Sequence, residues 1–183
     1  QHNITALQYH RQIIPHERLA ITNKDDFEFI YNRPDKEGQE CSVMWMTDEQ
    51  IKEYKMVIFL RQISHDPNQI QPSIDRLKSL GVKILIDIDD YWGLPKYHYM
   101  YEPYTKHNVP ATTVASIKQV DWVTTTTNTF GDYINPYNTN ITILPNCISP
   151  DDPQFKPRKI ENSKLRFGWI GGVFHKYDIR LMT

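Results

Sequence analysis

The stretch that decides the fold runs from Met56 to Asp90. It opens on Met56-Val57-Ile58-Phe59-Leu60, passes through Ser64-His65-Asp66-Pro67 to Gly81, and closes on Val82-Lys83-Ile84-Leu85-Ile86-Asp87-Ile88-Asp89-Asp90. The first run is short and apolar throughout, the pattern of a strand buried on both faces. Ser64-His65-Asp66-Pro67 reads as a helix start with Pro in the first turn. Ile70, Ile74, Leu77 and Leu80 then recur at spacings of four, three and three, one face of a helix, and Gly81 stands where helices stop. Val82 to Ile88 is a second strand, rich in β-branched residues. Strand, helix, glycine and strand in this order form a βαβ unit, which implies parallel strands joined by a right-handed crossover.

Outward from this unit the alternation continues. Thr113 to Val120 reads as a helix, Trp122 to Thr127 as a strand, and Asn128 to Ile134 as a short helix stopped by Asn135-Pro136. Ile141 to Leu144 is a brief strand. Upstream, Asn3 to Gln8 reads as a strand and Arg11 to Ala20 as a helix broken or preceded by Pro15. The expected class is α/β, with a Rossmann-like open, mostly parallel sheet and flanking helices, spanning residues 1–146. Beyond it Pro145, Pro150, Pro153 and Pro157 fall within 13 residues among charged ones. Residues 147–163 therefore read as a linker. Leu165 to Ile170 is a new strand, Gly171-Gly172 a turn and His175 to Met182 the start of a helix. Residues 164–183 are expected to be the truncated start of a second domain.

Composition removes several classes. Lys and Arg number 21 against 22 Asp and Glu, a net charge of −1, so there is no global field to draw nucleic acid. Hydrophobic residues make up 39% and include 7 Phe, 4 Trp and 11 Tyr, ample for a core and contrary to disorder. Apolar runs such as Met56 to Leu60 are far shorter than the ~20 residues of a spanning helix, and no segment has the layout of a signal peptide. Cys41 and Cys147 stand far apart with no CxxC, which points to a reducing, cytoplasmic setting.

Chemistry concentrates at Asp87, Asp89, Asp90, Tyr91 and Trp92. Ligands of open α/β sheets sit outside the carboxyl ends of strands, where this cluster falls. If the strand continued, alternation would place Asp87 and Asp89 on one side and Asp90 on the other. Three carboxylates suit a hard cation such as Mg²⁺ or Mn²⁺, a nucleophile, or the hydroxyls of a sugar; against these stands a capping or solvated role. Tyr91, Trp92, Tyr97, Tyr99, Tyr101 and Tyr104 crowd the following loop. Such rings either form a small core of their own or pack on the C–H face of a sugar while a polar tip bonds its hydroxyls. Thr124 to Thr127 offer hydroxyls at another strand end, although β-propensity alone explains them. Gly171-Gly172 leads into a helix whose free N–H groups suit a phosphate, with His175 just beyond. The remaining histidines show no metal-ligand spacing, and no GxSxG elbow occurs.

Taken in order, Tyr9-His10-Arg11 with Pro15, the Val57-to-Arg61 strand, V-K-I-L-I-D-I-D-D-Y-W, Asp121-Trp122 with its threonines, Ile141 to Asn146, the proline linker, and L-R-F-G-W-I-G-G with His175 and Asp178 form a pattern. It resembles the bacterial two-Rossmann (GT-B) glycosyltransferases. The resemblance implies an N-terminal acceptor-side domain and a C-terminal domain that binds a nucleotide-sugar donor. It implies that Asp87, Asp89, Asp90, Tyr91 and Trp92 line the interdomain cleft, and that Gly171, Gly172 and His175 approach the donor phosphates. It implies no resident cofactor and no essential metal, because the family neutralises the diphosphate with side chains and a helix N-terminus. The expected partners are a nucleotide-sugar donor and a glycan or lipid-linked acceptor, with peripheral attachment at the inner membrane face and self-association through the truncated segment as further options. The competing readings are a stand-alone sugar- or nucleotide-binding module and a metal-dependent phosphatase with Asp87 as nucleophile and Asp89 as acid/base.

Overall fold

A computed structural model describes residues 8–31, 43–64 and 66–147, together with positions 151, 153 and 156. The expected strands at Asn3–Gln8 and Leu165–Ile170, the Gly171-Gly172 turn and the helix from His175 lie, wholly or nearly so, outside the described residues, as does most of the linker. Among the described residues four strands, β1 (Met56–Leu60), β2 (Lys83–Ile88), β3 (Trp122–Thr125) and β4 (Ile141–Ile143), form one sheet in the order β1-β2-β3-β4. Every neighbouring pair is parallel. The fold is therefore α/β with an all-parallel open sheet, and the expectation from the βαβ unit holds.

The connections are helical: α3 (Pro67–Ser79) joins β1 to β2, α4 (Tyr101–Lys106) and α5 (Val109–Gln119) join β2 to β3, and α6 (Asn128–Ile134) joins β3 to β4. Before the sheet come α1 (Ile14–Thr22), entered through a π-helical turn at Tyr9–Ile13, and the single-turn α2 (Asp48–Ile51). Local chemistry sets most of these bounds. The Asp66 carboxylate accepts from Asn68 N–H at 2.9 Å to cap α3, with Pro67 in the first turn. Gly81 then ends the helix at φ +77°, a conformation that a side chain disfavours. Thr127 caps α6 through Phe130 N–H at 3.1 Å. Thr47 and Gln50 form a capping box that holds α2, a helix too short to show in hydrophobic periodicity.

A rule of handedness decides the layers. With strands in sequential order, right-handed crossovers put all the connecting helices on one face. The buried side chains agree: Ile84, Ile86, Ile88 and Val123 pack with Ile70, Ile74 and Leu77 of α3, Ile117 of α5 and Ile134 of α6 in one core. Gly131 lets α6 press onto the sheet, since a Cβ there would lie 3.0 Å from Ile143 Cδ1. The opposite face carries the other alternation of the strands. Asp87 and Thr124 are buried on it, whereas Met56 and Trp122 keep 47% and 44% of their surface.

Pro15 falls inside a helix rather than ahead of one. A proline there cannot bond the carbonyl of Arg11 and crowds it. The turn widens instead, with Ile14 N–H reaching back to Tyr9 O in the π pattern. Arg11 sits in this widened turn.

Candidate functional site

The carboxyl ends of β1 and β2 hold two arginine–carboxylate assemblies. In the first, Arg11 grips Asp87 with both prongs, Nε to Oδ2 at 2.7 Å and Nη2 to Oδ1 at 2.6 Å. Thr124 Oγ1 donates to the same Oδ1 at 2.6 Å. The remaining Arg11 nitrogen bonds Leu144 O at 3.1 Å and Asn146 Oδ1 at 2.7 Å, so the chain leaving β4 is drawn onto the same group. Both charged side chains are nearly dry, 6% and 4% exposed. The Asp87 hydrogen bond raises the Arg11 pKa, burial partly opposes it, and the net position is above the ordinary value.

In the second assembly, Arg61 Nε donates to Asp89 Oδ1 at 2.9 Å, and Nη2 donates to Asp89 Oδ2 at 3.3 Å and to Asp90 Oδ2. Burial acts to lower the Arg61 pKa, but the Asp89 hydrogen bond and the two carboxylate charges outweigh it, and it stands above its ordinary value. The backbone bends sharply to place this arginine. Arg61 adopts φ +64°, and Gln62 N–H closes a three-residue turn onto Leu60 O at 2.8 Å. A non-glycine residue in that region is strained, and such strain gathers at ligand sites.

These contacts correct the alternation argument. β2 stops at Ile88, so Asp89 and Asp90 turn together onto one guanidinium, and Asp87 alone faces the other way. Of the five residues expected to line the cleft, Asp90 and Trp92 line a cavity of about 280 Å³ with Leu60, Arg61, Gln62, Ile63, Ser64, Ile88, Tyr104, Val109 and Thr113. Asp87 lies buried outside it, held by Arg11. Asp89 reaches it only through Arg61. Tyr91 is absent from the lining; the residue is 48% exposed, and its ring tilts toward Trp92 at a centroid distance of 5.3 Å. Gly171, Gly172 and His175 lie outside the described residues. Among the four threonines, Thr124 serves Asp87, Thr127 caps α6, and Thr125 Oγ1 is buried with no partner among the described residues.

Sequence reasoning gave Arg61 and Arg11 no role in the site. One signal for Arg61 was present: an arginine directly after one parallel strand, facing an Asp cluster after its neighbour. Arg11 gave none, since it is 76 residues from Asp87.

With Asp87 and Asp89 each held through both oxygens, Asp90 is the carboxylate of the cluster that reaches solvent, 64% exposed. No group of three or more His, Cys, Asp or Glu side chains among the described residues is arranged to hold a metal ion. No described helix is long and apolar enough to cross a membrane. Comparison with known proteins returned no matching family model, no matching curated protein and no matching solved structure.

Proposed function

We propose that this chain carries the acceptor-side domain of a glycosyltransferase, which moves a sugar from a nucleotide-sugar donor to a glycan or lipid-linked acceptor on the cytoplasmic side. One observation carries the proposal: the cavity at the carboxyl ends of β1 and β2 combines Asp90 and Arg61 with the Trp92 and Tyr104 rings and the hydroxyls of Ser64 and Thr113. Sugar rings present hydroxyls at their rim and C–H bonds on their faces. Charged acceptors and donors suit the rim, and aromatic rings suit the faces. About 280 Å³ lies just below the ~300–1,000 Å³ typical of ligand pockets, which suits a single sugar ring.

The phosphatase reading loses support in this geometry. A nucleophilic Asp87 would need a free oxygen, and both of its oxygens accept hydrogen bonds from Arg11 inside the protein. A stand-alone sugar-binding module remains a second reading, favoured by a cavity built wholly from residues 60–113.

The test is titration calorimetry of the full 183-residue chain against neutral glycans and against nucleotide sugars. The expected result is glycan binding that Asp90→Ala weakens about tenfold or more, as loss of a charge-assisted hydrogen bond would. EDTA should leave that binding unchanged. Binding of free nucleotide in this cavity, or glycan binding lost in EDTA and regained with Mn²⁺, would overturn the proposal. Label transfer from a nucleotide sugar to the bound glycan would single out the transferase, whereas glycan binding without transfer suits the acceptor-side domain and the module alike.

A further inference from the structure

The cavity suits one sugar ring, and two exposed tyrosines lie beyond the buried Trp92 that lines it. Trp92 lines the cavity, and its ring also meets Phe130 of α6 at 5.9 Å. Tyr91 lies beside Trp92 and reaches Phe130 at 6.4 Å and Tyr133 at 5.4 Å. Tyr91 and Tyr133 nevertheless keep 48% and 58% of their surface. Tyr137 meets Trp92 itself at 6.2 Å, and Lys118 Nζ sits 5.7 Å from the Tyr137 ring centroid.

Tyr91 is seated rather than loose. Its ring lies over Gly93, where an added Cβ would come within 2.7 Å of Cε1 and 2.8 Å of the hydroxyl oxygen. An exposed ring held by neighbours loses little freedom when a ligand lands on it, so more of the contact energy appears as affinity. The charges at the cavity mouth disfavour an acidic glycan. Asp89 and Asp90 outnumber Arg61, the one guanidinium they share, and leave the cavity mouth with an unbalanced carboxylate.

We infer that the site binds a neutral oligosaccharide of at least two or three residues, one ring in the cavity and the next across Tyr91 and Tyr133. The inference rests on the glycan reading of the cavity and adds chain length and charge to it. Tyrosine fits the task because each exposed ring offers an apolar face to sugar C–H groups and a hydroxyl to their rim.

The experiment screens the full chain against immobilised neutral and uronic-acid glycans of one to six residues, then measures affinities for the best neutral series. Affinity should rise about five- to tenfold from the monosaccharide to the trisaccharide, the worth of one good aromatic contact. That ratio should collapse toward one in Tyr91→Ala and in Tyr133→Ala. It should fall also in Gly93→Ala, which displaces the Tyr91 ring without removing it. Uronic-acid chains should bind more weakly than neutral ones of equal length. Equal affinity for one and three residues, with no change in the tyrosine variants, would overturn the platform while leaving the single-ring cavity intact. Tighter binding of the acidic chains would overturn the charge argument, and no binding of any glycan would sink the parent reading together with this one.

Discussion

At the scale of single residues, the site is governed by two arginines that pair with three carboxylates. A buried ion pair is costly to assemble, and cutting it from one side is worse than never having it, because the surviving charge stays dry and unpaired. Arg11→Met should therefore destabilise the fold by about 3–5 kcal/mol. The double variant Arg11→Met/Asp87→Asn should recover most of the loss, since the amide carries no charge and still accepts from Thr124. Urea unfolding of the four members of the cycle checks this, and a double variant no more stable than Arg11→Met would refute it. The Asp cluster itself was legible in the sequence as a site at a strand end. Its partners were not, because an arginine at φ +64° and another in a π-turn depend on backbone geometry that no local spacing encodes. Reading three carboxylates as a group open to a ligand overcounted them, since two are consumed internally.

Elements were legible in proportion to their length and periodicity. β1 and α6 fall where their residue patterns place them, at Met56–Leu60 and Asn128–Ile134. α5 begins at Val109, four residues ahead of the expected Thr113, because Pro110 occupies its first turn rather than preceding it. The aromatic loop after Trp92 holds a short helix, α4, and α2 was missed altogether; both have too few turns to show an apolar stripe. The start of β3 shows how a single side chain can fasten two elements. Asp121 accepts from Ile84 N–H at 2.9 Å and from Lys83 Nζ at 3.0 Å. Burial works to raise its pKa, but these two donors prevail and hold it below the ordinary 3.8. A lowered carboxylate pKa stabilises the fold fully above the ordinary value, and the benefit fades as pH falls through the lowered one. Asp121→Asn should thus be less stable than wild type by a constant amount above about pH 5, and the gap should narrow steadily below about pH 4. Thermal melts across that range decide it, and a gap independent of pH would refute the role of the charge.

Across the whole molecule, sequential strand order means that each new strand is laid beside the one before it. Most of the sheet forms from segments close in the chain, which favours rapid folding. The Arg11 clasp is the exception, joining residue 11 to Asn146 across 135 positions. A contact with that much chain to close is expected to form after the sheet it spans. Its removal should leave the refolding rate nearly unchanged and accelerate unfolding by about a hundredfold or more, the whole of the lost stability appearing on one limb of the chevron. Stopped-flow measurements on Arg11→Met test this, and a proportionate slowing of refolding would place the clasp in the nucleus instead. The arginine that ties off the carboxyl edge of the sheet thus works as a latch: it sets how long the native state lasts more than how quickly it is reached.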